Sequence, residues 1–418
     1  MGQAGNAKKR FAYTPLLRVF LPFALGYFLS YLYRVVNAVI APDLVADIGL
    51  DAATLGLLTS AYFLTFGLFQ LPLGILLDRF GPRRTEAALL LFAALGAVVF
   101  ASAGSASGLT IGRALIGLGV SACLMAAFQA FVLWFPRERL PLVNGLQMAA
   151  GGFGALAGTA PVEAALQLTS WRGVFVLLAM ATVAVALVIF VVVPERRVAG
   201  GGTSVRAQLR GVAAVFSSRV FWSITPWTVA QQVTFLSVQS LWVGPWLRDV
   251  AGLDRVTVAT YLAFVAAAMI AGFVILGTVA ERLSRRGIRP MSVAAVGMTI
   301  FMLLLAAIAF EWTPFVLQTW MLFGFFGTTS IIPYAVLAQS FATELAGRVI
   351  TGLNLLVFLG AFSAQWGMGA LIDLWPRTAS GGYAPAGYRT ALLVMLAIQI
   401  IAMIWYVLAS RQARQARN

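Results

Sequence analysis

Arg34 is the residue of this sequence best placed to bind a charged ligand, because it lies deep inside an apolar run. Residues 31–37 read YLYRVVN, and Pro42 follows eight residues after the arginine. A charge at such depth in an apolar helix costs several kcal/mol unless it faces a cavity or a partner. Two interpretations stay open: Arg34 binds an anion, or it is a structural residue bonded to backbone carbonyls or to glutamine side chains.

No group of residues in the sequence predicts catalysis. Histidine is absent and the one cysteine, Cys123, lies in an apolar run, so we expect neither a metal site nor a disulfide. The sequence has no glycine-rich phosphate-binding loop with a lysine, which excludes ATP as an energy source. We therefore expect no enzymatic activity, no cofactor and no metal ion.

The elements that would position Arg34 are predicted to be membrane-spanning helices. The sequence has 418 residues, of which 61% are hydrophobic and 10% charged, with a mean hydropathy of +0.91. So much apolar surface cannot be hidden in one water-soluble core and must face lipid. We predict an all-α polytopic membrane protein with twelve spans, approximately at 16–41, 53–77, 85–105, 109–135, 141–168, 171–194, 219–247, 256–280, 290–311, 314–342, 347–375 and 386–409.

The loop charges predict the topology and the domain division. Most of the 29 Lys and Arg residues fall on the side of the two chain ends, which places both termini in the cytoplasm of a bacterial inner membrane. They form short clusters between apolar runs, which excludes a nucleic-acid partner. The longest connection, with three consecutive glycines, has the composition of a flexible polar linker. We predict an N-terminal bundle (1–194), a cytoplasmic linker (195–218) and a C-terminal bundle (219–418).

The acidic residues are predicted to lie near one membrane face or the other. Asp43 and Glu163 belong to the outer group, whereas Asp78 and Glu86 belong to the inner group. A buried carboxylate is the usual proton carrier of a transporter, so this placement argues against a drug/proton antiporter, and Glu163 is the best remaining carrier. Arg113, near the outer end of span 4, could reach the interface, and its structural and coupling roles both stay open.

A glycine, acid and arginine motif follows the second span of each predicted half. Residues 74–84 read GILLDRFGPRR, and a weaker copy at 277–287 reads GTVAERLSRRG. The first copy resembles the loop between spans 2 and 3 of the major facilitator superfamily. The resemblance implies two six-helix bundles that rock around a central cavity. It also implies a conformational latch between the halves, formed by Gly74, Asp78, Arg79, Arg83, Glu281 and Arg282.

Span 1 is similar to that of the organic-anion branches of this superfamily, which include organophosphate:phosphate antiporters and hexonate/aromatic-acid symporters. These branches place a substrate-binding arginine on span 1, and Arg34 and Tyr31 match their pattern. The organophosphate group has further cations on spans 7 and 2, where this sequence has Gln231, Gln232 and Gln70. One central cation favours a monoanion over a phosphate dianion.

We therefore predict a monomeric secondary transporter of a small organic anion, most simply a carboxylate, in contact with lipid and with a co-transported or exchanged ion. Exchange of anions, or a passive carrier, fits the placement of the acids most simply. The alternative is a proton-coupled multidrug or metabolite efflux pump, which the aromatic content favours and the missing mid-membrane acid disfavours. Polar or aromatic residues on the predicted cavity helices complete the candidate site: Tyr31, Asn37, Tyr62, Gln70, Gln129, Gln231, Gln232, Tyr334 and Trp366.

Overall fold

A computed structural model describes residues 15–136, 139–195, 205–378 and 381–415. Within these ranges every regular element is a helix and there is no strand, which confirms the predicted all-α class. The central part of the predicted linker, residues 196–204, lies outside the described residues.

The described part of the first half contains eight helices. A π-helical turn, Leu16–Phe20, leads directly into the first of them. They are α1 (Leu21–Val35), α2 (Asn37–Ile48), α3 (Ala52–Ser102), α4 (Ala106–Val120), α5 (Cys123–Trp134), α6 (Leu140–Ala157), α7 (Ala160–Leu166) and α8 (Trp171–Val192).

Within the described residues, the second half contains nine helices, with a π-helical turn at Val238–Trp242 and a 3₁₀ turn at Thr328–Ile331. They are α9 (Val205–Phe216), α10 (Arg219–Ser237), α11 (Val243–Asp249), α12 (Arg255–Arg285), α13 (Pro290–Ala309), α14 (Val316–Gly327), α15 (Ile332–Gln339), α16 (Thr343–Ile372) and α17 (Pro385–Gln415).

Ten segments of the described residues are long and apolar enough to cross a membrane, and they coincide with ten of the predicted spans. The other two predicted spans, 141–168 and 219–247, correspond to interrupted helices. Span 5 is divided between α6 and α7 at Gly158 and Thr159, and span 7 passes from α10 through a π-helical turn into α11. Spans 4 and 10 are interrupted too, between α4 and α5 and between α14 and α15, and they still reach the apolar length that a span requires.

The corner between spans 2 and 3 depends on Gly81. This residue has φ +77° and ψ 166°, and it interrupts α3 at the position where the chain reverses. Positive φ is readily adopted only by glycine, and Pro82 then begins the next helix with the fixed φ suited to a first turn. The motif therefore forms a tight corner that aims its charged residues at one end of the bundle.

The two halves touch at the end of the molecule opposite to the chain ends, which we call the outer end. The Asp373 carboxylate at the end of α16 accepts hydrogen bonds from the backbone N–H groups of Ala52 (3.0 Å) and Ala53 (2.5 Å) at the start of α3. A carboxylate at a helix N-terminus is stabilised by the helix dipole. Gly369 lies so close that a Cβ there would be 2.3 Å from the Ala52 carbonyl oxygen.

The described part of the predicted linker is partly helical. Helix α9 begins at Val205, and its Phe216 ring packs against α16, where a Cβ on Gly352 would lie 2.9 Å from the ring. The prediction of a flexible segment is thus wrong for this stretch, because the apolar Phe216 gives it a surface to bury. The division into units 1–194, 195–218 and 219–418 stays a prediction.

Candidate functional site

Arg34 lies in the last turn of α1, at the contact between the two halves. Its side chain is 5% exposed, and its Cζ atom lies 4.3 Å from the ring centre of Tyr31 and 5.9 Å from that of Tyr62. The rings of Phe66 and Phe358 lie 5.6 and 5.7 Å away, and Phe358 belongs to α16 of the second half. Aromatic faces attract a guanidinium at such distances, so the site holds the cation among rings from both halves.

The Arg34 guanidinium retains capacity to bind a ligand. Its Nε has no hydrogen-bond partner among the described residues, and the titratable side chains next to the guanidinium there are tyrosines, of which Tyr62 shares a hydrogen bond with it, and no carboxylate. An arginine remains charged even in a dry environment, and ring faces do not replace a counter-charge. A carboxylate or sulfonate at the edge of the guanidinium, with its apolar part against the rings, would satisfy both groups.

Arg113 is not at the membrane interface, and this corrects its predicted placement. Its side chain is 1% exposed, and Nη1 donates a 2.7 Å hydrogen bond to the backbone carbonyl of Tyr33 on α1. Helix α4 begins at Ala106, so Arg113 lies about 10 Å inside that end. Its Cζ lies 5.0 Å from the ring centre of Tyr62, on which Arg34 also rests. Arg113 thus contacts α1 and the Tyr62 ring, both of which form part of the Arg34 site.

Two members of the aromatic group around Arg34 were missed in the sequence. Phe66 follows Tyr62 by four residues, and this helical spacing could have placed both rings on one face of α3. Phe358 gives no such signal, because its approach to Arg34 depends on how the halves pack. The Phe66 and Phe358 ring centres are 4.3 Å apart, so this pair closes the site between the halves.

The predicted glutamines mainly bond neighbouring helices to each other. The Gln70 amide donates to the carbonyls of Phe66 and Ser121, both at 3.4 Å. Gln231 donates to Thr329 Oγ1 at 2.9 Å, and Gln232 accepts from a neighbouring serine hydroxyl. The structure shows none of these three in contact with Arg34 among the described residues. Their placement favours a structural role in this conformation.

The other predicted site residues lie at varying distances from the aromatic group. Asn37 is buried and donates to Thr59 Oγ1 at 2.9 Å. Tyr334 donates to Asn354 Oδ1 at 3.0 Å, and Gln129 has an Oε1 without a partner among the described residues. Trp366 is 44% exposed and packs against another ring of α16, that of Phe362, two turns beyond the Arg34 group.

Glu163 takes part in an ion-pair cluster that joins the halves at the outer end. Its carboxylate accepts a 2.8 Å hydrogen bond from Arg255 Nε and a 3.2 Å bond from Gln167. Arg255, at the start of α12, also donates to both carboxylate oxygens of Asp43 on α2, at 2.8 and 2.6 Å. We call Asp43, Glu163 and Arg255 the outer bridge. Because Glu163 is already paired, it is a less suitable proton carrier in this conformation than its sequence position indicates.

Glu86 corrects the prediction that it lies at or near the inner face. The side chain is fully buried inside the N-terminal bundle, one turn into the helix that follows Gly81. Neither carboxylate oxygen has a hydrogen-bond partner among the described residues. The sequence position is close to the helix end, but the side chain points into the bundle instead of toward water.

Most of the predicted latch residues are exposed, Arg83 is half-buried, and none of them is shown to join the halves among the described residues. Arg83 stacks on a phenylalanine ring of α8 in its own half, and Glu281 pairs with Arg285 on its own helix at 2.6 Å. Asp78, Arg79 and Arg282 are exposed. A Cβ on Gly74 or on Gly277 would meet no atom of the described chain within 4 Å. The halves are therefore apart at this inner end while they touch at the outer end.

Comparison with known proteins identifies a family for this arrangement. A family model described as Major Facilitator Superfamily matches residues 23–365. The chain also resembles a solved bacterial homologue of the human lysosomal transporter Spinster, in an inward-facing and unoccupied conformation. That match has a TM-score of 0.76 and 19% identity, and covers 94% of this chain and 96% of the other.

Two curated relatives have names of different kinds. A probable sulfoacetate transporter of Cupriavidus necator is 25% identical over 277 residues, which is 63% of this chain and 64% of that protein. A chloramphenicol resistance protein of Streptomyces lividans is 29% identical over 264 residues, 62% of this chain and 64% of the other. Each alignment spans less than two thirds of the relative.

Proposed function

The chain belongs to the major facilitator superfamily and is a multi-pass membrane transporter, and from this premise we propose that it carries a small organic anion, most simply a carboxylate or sulfonate. We place it in a bacterial inner membrane with both chain ends in the cytoplasm. Transport proceeds by alternating access, in which the halves rock around a site near the middle of the bilayer.

Arg34 is the observation that supports this proposal. It is a buried cation with an unsatisfied Nε and without a carboxylate partner among the described residues. A buried charge without a counter-charge is costly, and an anionic cargo supplies that counter-charge each time it binds. The Phe358 ring of the second half closes over the same guanidinium, so a ligand bound there would contact both halves and could respond to their rocking.

The resemblance to a sulfoacetate transporter agrees with an anionic cargo. A sulfonate and a carboxylate both present planar or pyramidal sets of oxygens that a guanidinium binds in bidentate fashion. The apolar rings of Tyr31 and Phe66 would pack against the carbon part of the cargo. This favours a compact anion over a strongly hydrated sugar phosphate.

The two ends of the molecule supply the parts of a rocking mechanism. The outer bridge and the Asp373 cap join the halves at the outer end, and the predicted latch is disengaged at the inner end. We propose that Asp78 and Glu281, with Gly74, Arg79, Arg83 and Arg282, join the halves when the outer end opens. Each end would then be closed in one state by its own set of polar contacts.

Efflux of an apolar drug is the second candidate function. The aromatic character of the site and the resemblance to a chloramphenicol resistance protein favour it. An uncharged drug would leave Arg34 without a counter-charge, which an anionic cargo would not. The two functions thus differ in what they require of this one residue.

Uptake by proteoliposomes tests the proposal, with labelled sulfoacetate and a panel of small carboxylates as probes. Replacing Arg34 by alanine removes about two charge-assisted hydrogen bonds, or about 3 kcal/mol, and should weaken binding about 100-fold. Arg34→Lys should fall between, since lysine keeps the charge but loses the planar fork. Arg389→Ala is the matched control, because Arg389 pairs with Glu311 within the second half.

The two candidate functions predict opposite results. Anion uptake that Arg34→Ala abolishes and Arg389→Ala leaves intact supports the proposal. Equal uptake by the parent and by Arg34→Ala contradicts it. Uncoupler-sensitive extrusion of cationic dyes, without anion uptake, would establish the efflux function instead.

A further inference from the structure

Glu86 is the one fully buried carboxyl group in the described part of the chain for which the proposed site assigns no role. It lies on the second part of α3, and both of its oxygens are buried without a hydrogen-bond partner among the described residues. Buried polar groups in folded proteins are nearly always hydrogen-bonded. An unsatisfied carboxyl inside a membrane-spanning bundle therefore calls for a functional explanation.

Three other helices surround the Glu86 carboxyl. On α1, a Cβ at Gly26 would lie 2.2 Å from Oε1, so only glycine leaves room for the carboxyl group. Ile189 of α8 also lies at this point of contact, 3.7 Å from the same Cβ position. The Cys123 thiol of α5, a weak donor, faces the carboxyl without a hydrogen bond of ordinary geometry, and it is the titratable group that these helices present to Glu86 among the described residues.

The nearest arginines in the sequence do not neutralise Glu86. Arg83 turns toward α8, where its Cζ lies 4.9 Å from the Phe190 ring centre. Arg84 pairs with Glu195 at 2.8 Å, and both of those side chains are exposed. An ionised carboxylate at the Glu86 position would therefore lack both water and a cation, at a cost of several kcal/mol. A protonated carboxyl group avoids most of this cost.

The position also gives the proton a short route to water. Glu86 follows the exposed Arg84–Glu195 pair by two residues, so it is about one helical turn inside the inner end. Its contact with Gly26 joins it to α1, the helix that carries Arg34 eight residues, or about 12 Å, further along. A movement of α1 that follows anion binding would therefore change the surroundings of both groups.

We propose that Glu86 is a proton-binding site that couples movement of the anion to a proton gradient. The identity of the cargo rests on the proposed function, whereas the assignment of the proton site rests on the burial and contacts of Glu86. On one side of the membrane a hydronium ion gives its proton to one carboxylate oxygen, so an O–H bond of hydronium breaks as the carboxyl O–H bond forms. On the other side the carboxyl O–H bond breaks and the proton passes to a water molecule, which restores the carboxylate. The exchange or passive mechanism favoured by the sequence is replaced by proton-linked symport.

Infrared difference spectroscopy of the reconstituted full-length protein tests the proton site without any cargo. The parent should show the carbonyl stretch of an un-ionised carboxylic acid, which weakens as the pH is raised. Glu86→Gln should abolish this band, and Glu195→Gln, which removes an exposed and paired carboxylate, should retain it. A band that Glu86→Gln leaves unchanged, or one that persists at every pH, overturns the proposal.

Proteoliposome transport then tests the coupling. With an inward gradient of one pH unit and the membrane potential clamped, a symport of one proton per monoanion accumulates the labelled anion about tenfold. Glu86→Gln, which mimics the protonated side chain, should keep exchange of internal for external anion but lose this accumulation. Retained exchange shows that the variant is folded, and Glu195→Gln should accumulate like the parent.

The outcomes separate this inference from the proposed function. Accumulation by Glu86→Gln equal to that of the parent overturns the coupling role. If the parent carries none of the anions, the proposed function fails, and the infrared result still decides whether Glu86 binds an exchangeable proton. Loss of both exchange and accumulation, together with an unchanged carboxylic acid band, overturns the proton site itself.

Discussion

Removing Arg255 should open the outer end of the transporter. Arg255 is in the second half, whereas its partners Asp43 and Glu163 are both in the first. These ion pairs exist only while the two halves meet at the outer end. Replacing Arg255 by alanine therefore destabilises the outward-closed state and leaves the outward-open state nearly unaffected, which shifts the population between them.

The size of the shift follows from the burial of the three side chains. The side chains of Arg255 and Asp43 are 39% and 28% exposed, so solvent screens that pair, and it contributes about 0–1 kcal/mol. The Glu163 side chain is only 6% exposed, and its hydrogen bond to a charged donor should contribute about 1.5–3 kcal/mol. A total of about 2 kcal/mol corresponds to a change of about thirtyfold in the equilibrium.

Cysteine labelling from the outside measures this equilibrium. Ala259 is buried and lines a pocket that Glu163 and Arg255 of the outer bridge also line, so a cysteine introduced there should react faster when the outer end opens. The native Cys123 is buried, and labelling of the parent gives its background. With a membrane-impermeant maleimide, Arg255→Ala should raise the labelling rate of Ala259→Cys by up to about thirtyfold.

Arg389→Ala is again the control, because it removes an ion pair of similar exposure that lies within one half. Its labelling rate should equal that of Ala259→Cys alone. An unchanged rate in Arg255→Ala would show that the outer bridge does not hold the halves together. An equal increase in both variants would show that loss of any surface ion pair loosens the fold, and would refute the assignment of the bridge to gating.

Two further substitutions test the neighbouring parts of the mechanism. Gly26→Ala places a Cβ 2.2 Å from Glu86 Oε1. It should lower the free energy of unfolding by about 1–3 kcal/mol in a thermal unfolding assay and reduce proton-driven accumulation. Gly145→Ala, whose Cβ would meet no described atom within 4 Å, should change neither the stability nor the accumulation. Asp78→Asn should lower the rate of transport severalfold with little change in anion affinity, because the latch acts when the outer end opens; a weaker affinity at an unchanged maximal rate would instead assign Asp78 to binding.

Structure could be predicted from the sequence where the residue type or apolar length allows only one physical explanation. Arg34 stood out because a charge inside an apolar run demands a cavity or a partner, and the structure places it in an aromatic group between the halves. The motif stood out by its glycine, acid and arginine spacing, and its Gly81 occupies a backbone conformation that glycine favours. Ten spans of the described residues followed from apolar length alone.

Depth and direction of side chains were harder to predict. Arg113 and Glu86 both lie near helix ends in the sequence, yet both point inward and are buried. Distance from a helix end does not reveal which face of the helix meets lipid, water or protein. The predicted glutamines illustrate the same gap, since Gln231 satisfies Thr329 of a neighbouring helix rather than a ligand. Phe358 could be assigned only once the packing of the halves was known.

The burial of Arg34 and Glu86 in one bundle bears on how a charged cargo can cross. With Glu86 ionised and the site empty, the charges of Arg34 and Glu86 cancel. With an anion on Arg34 and a proton on Glu86, the anion and Arg34 cancel while Glu86 is neutral. Arg113 carries the same charge in both states and so does not affect the difference between them. A change of net charge in a medium of low dielectric constant is expensive. Proton-linked symport therefore leaves the net charge of the bundle the same in the empty and the loaded state, whereas an anion carried alone would alter the net charge of the bundle in every cycle.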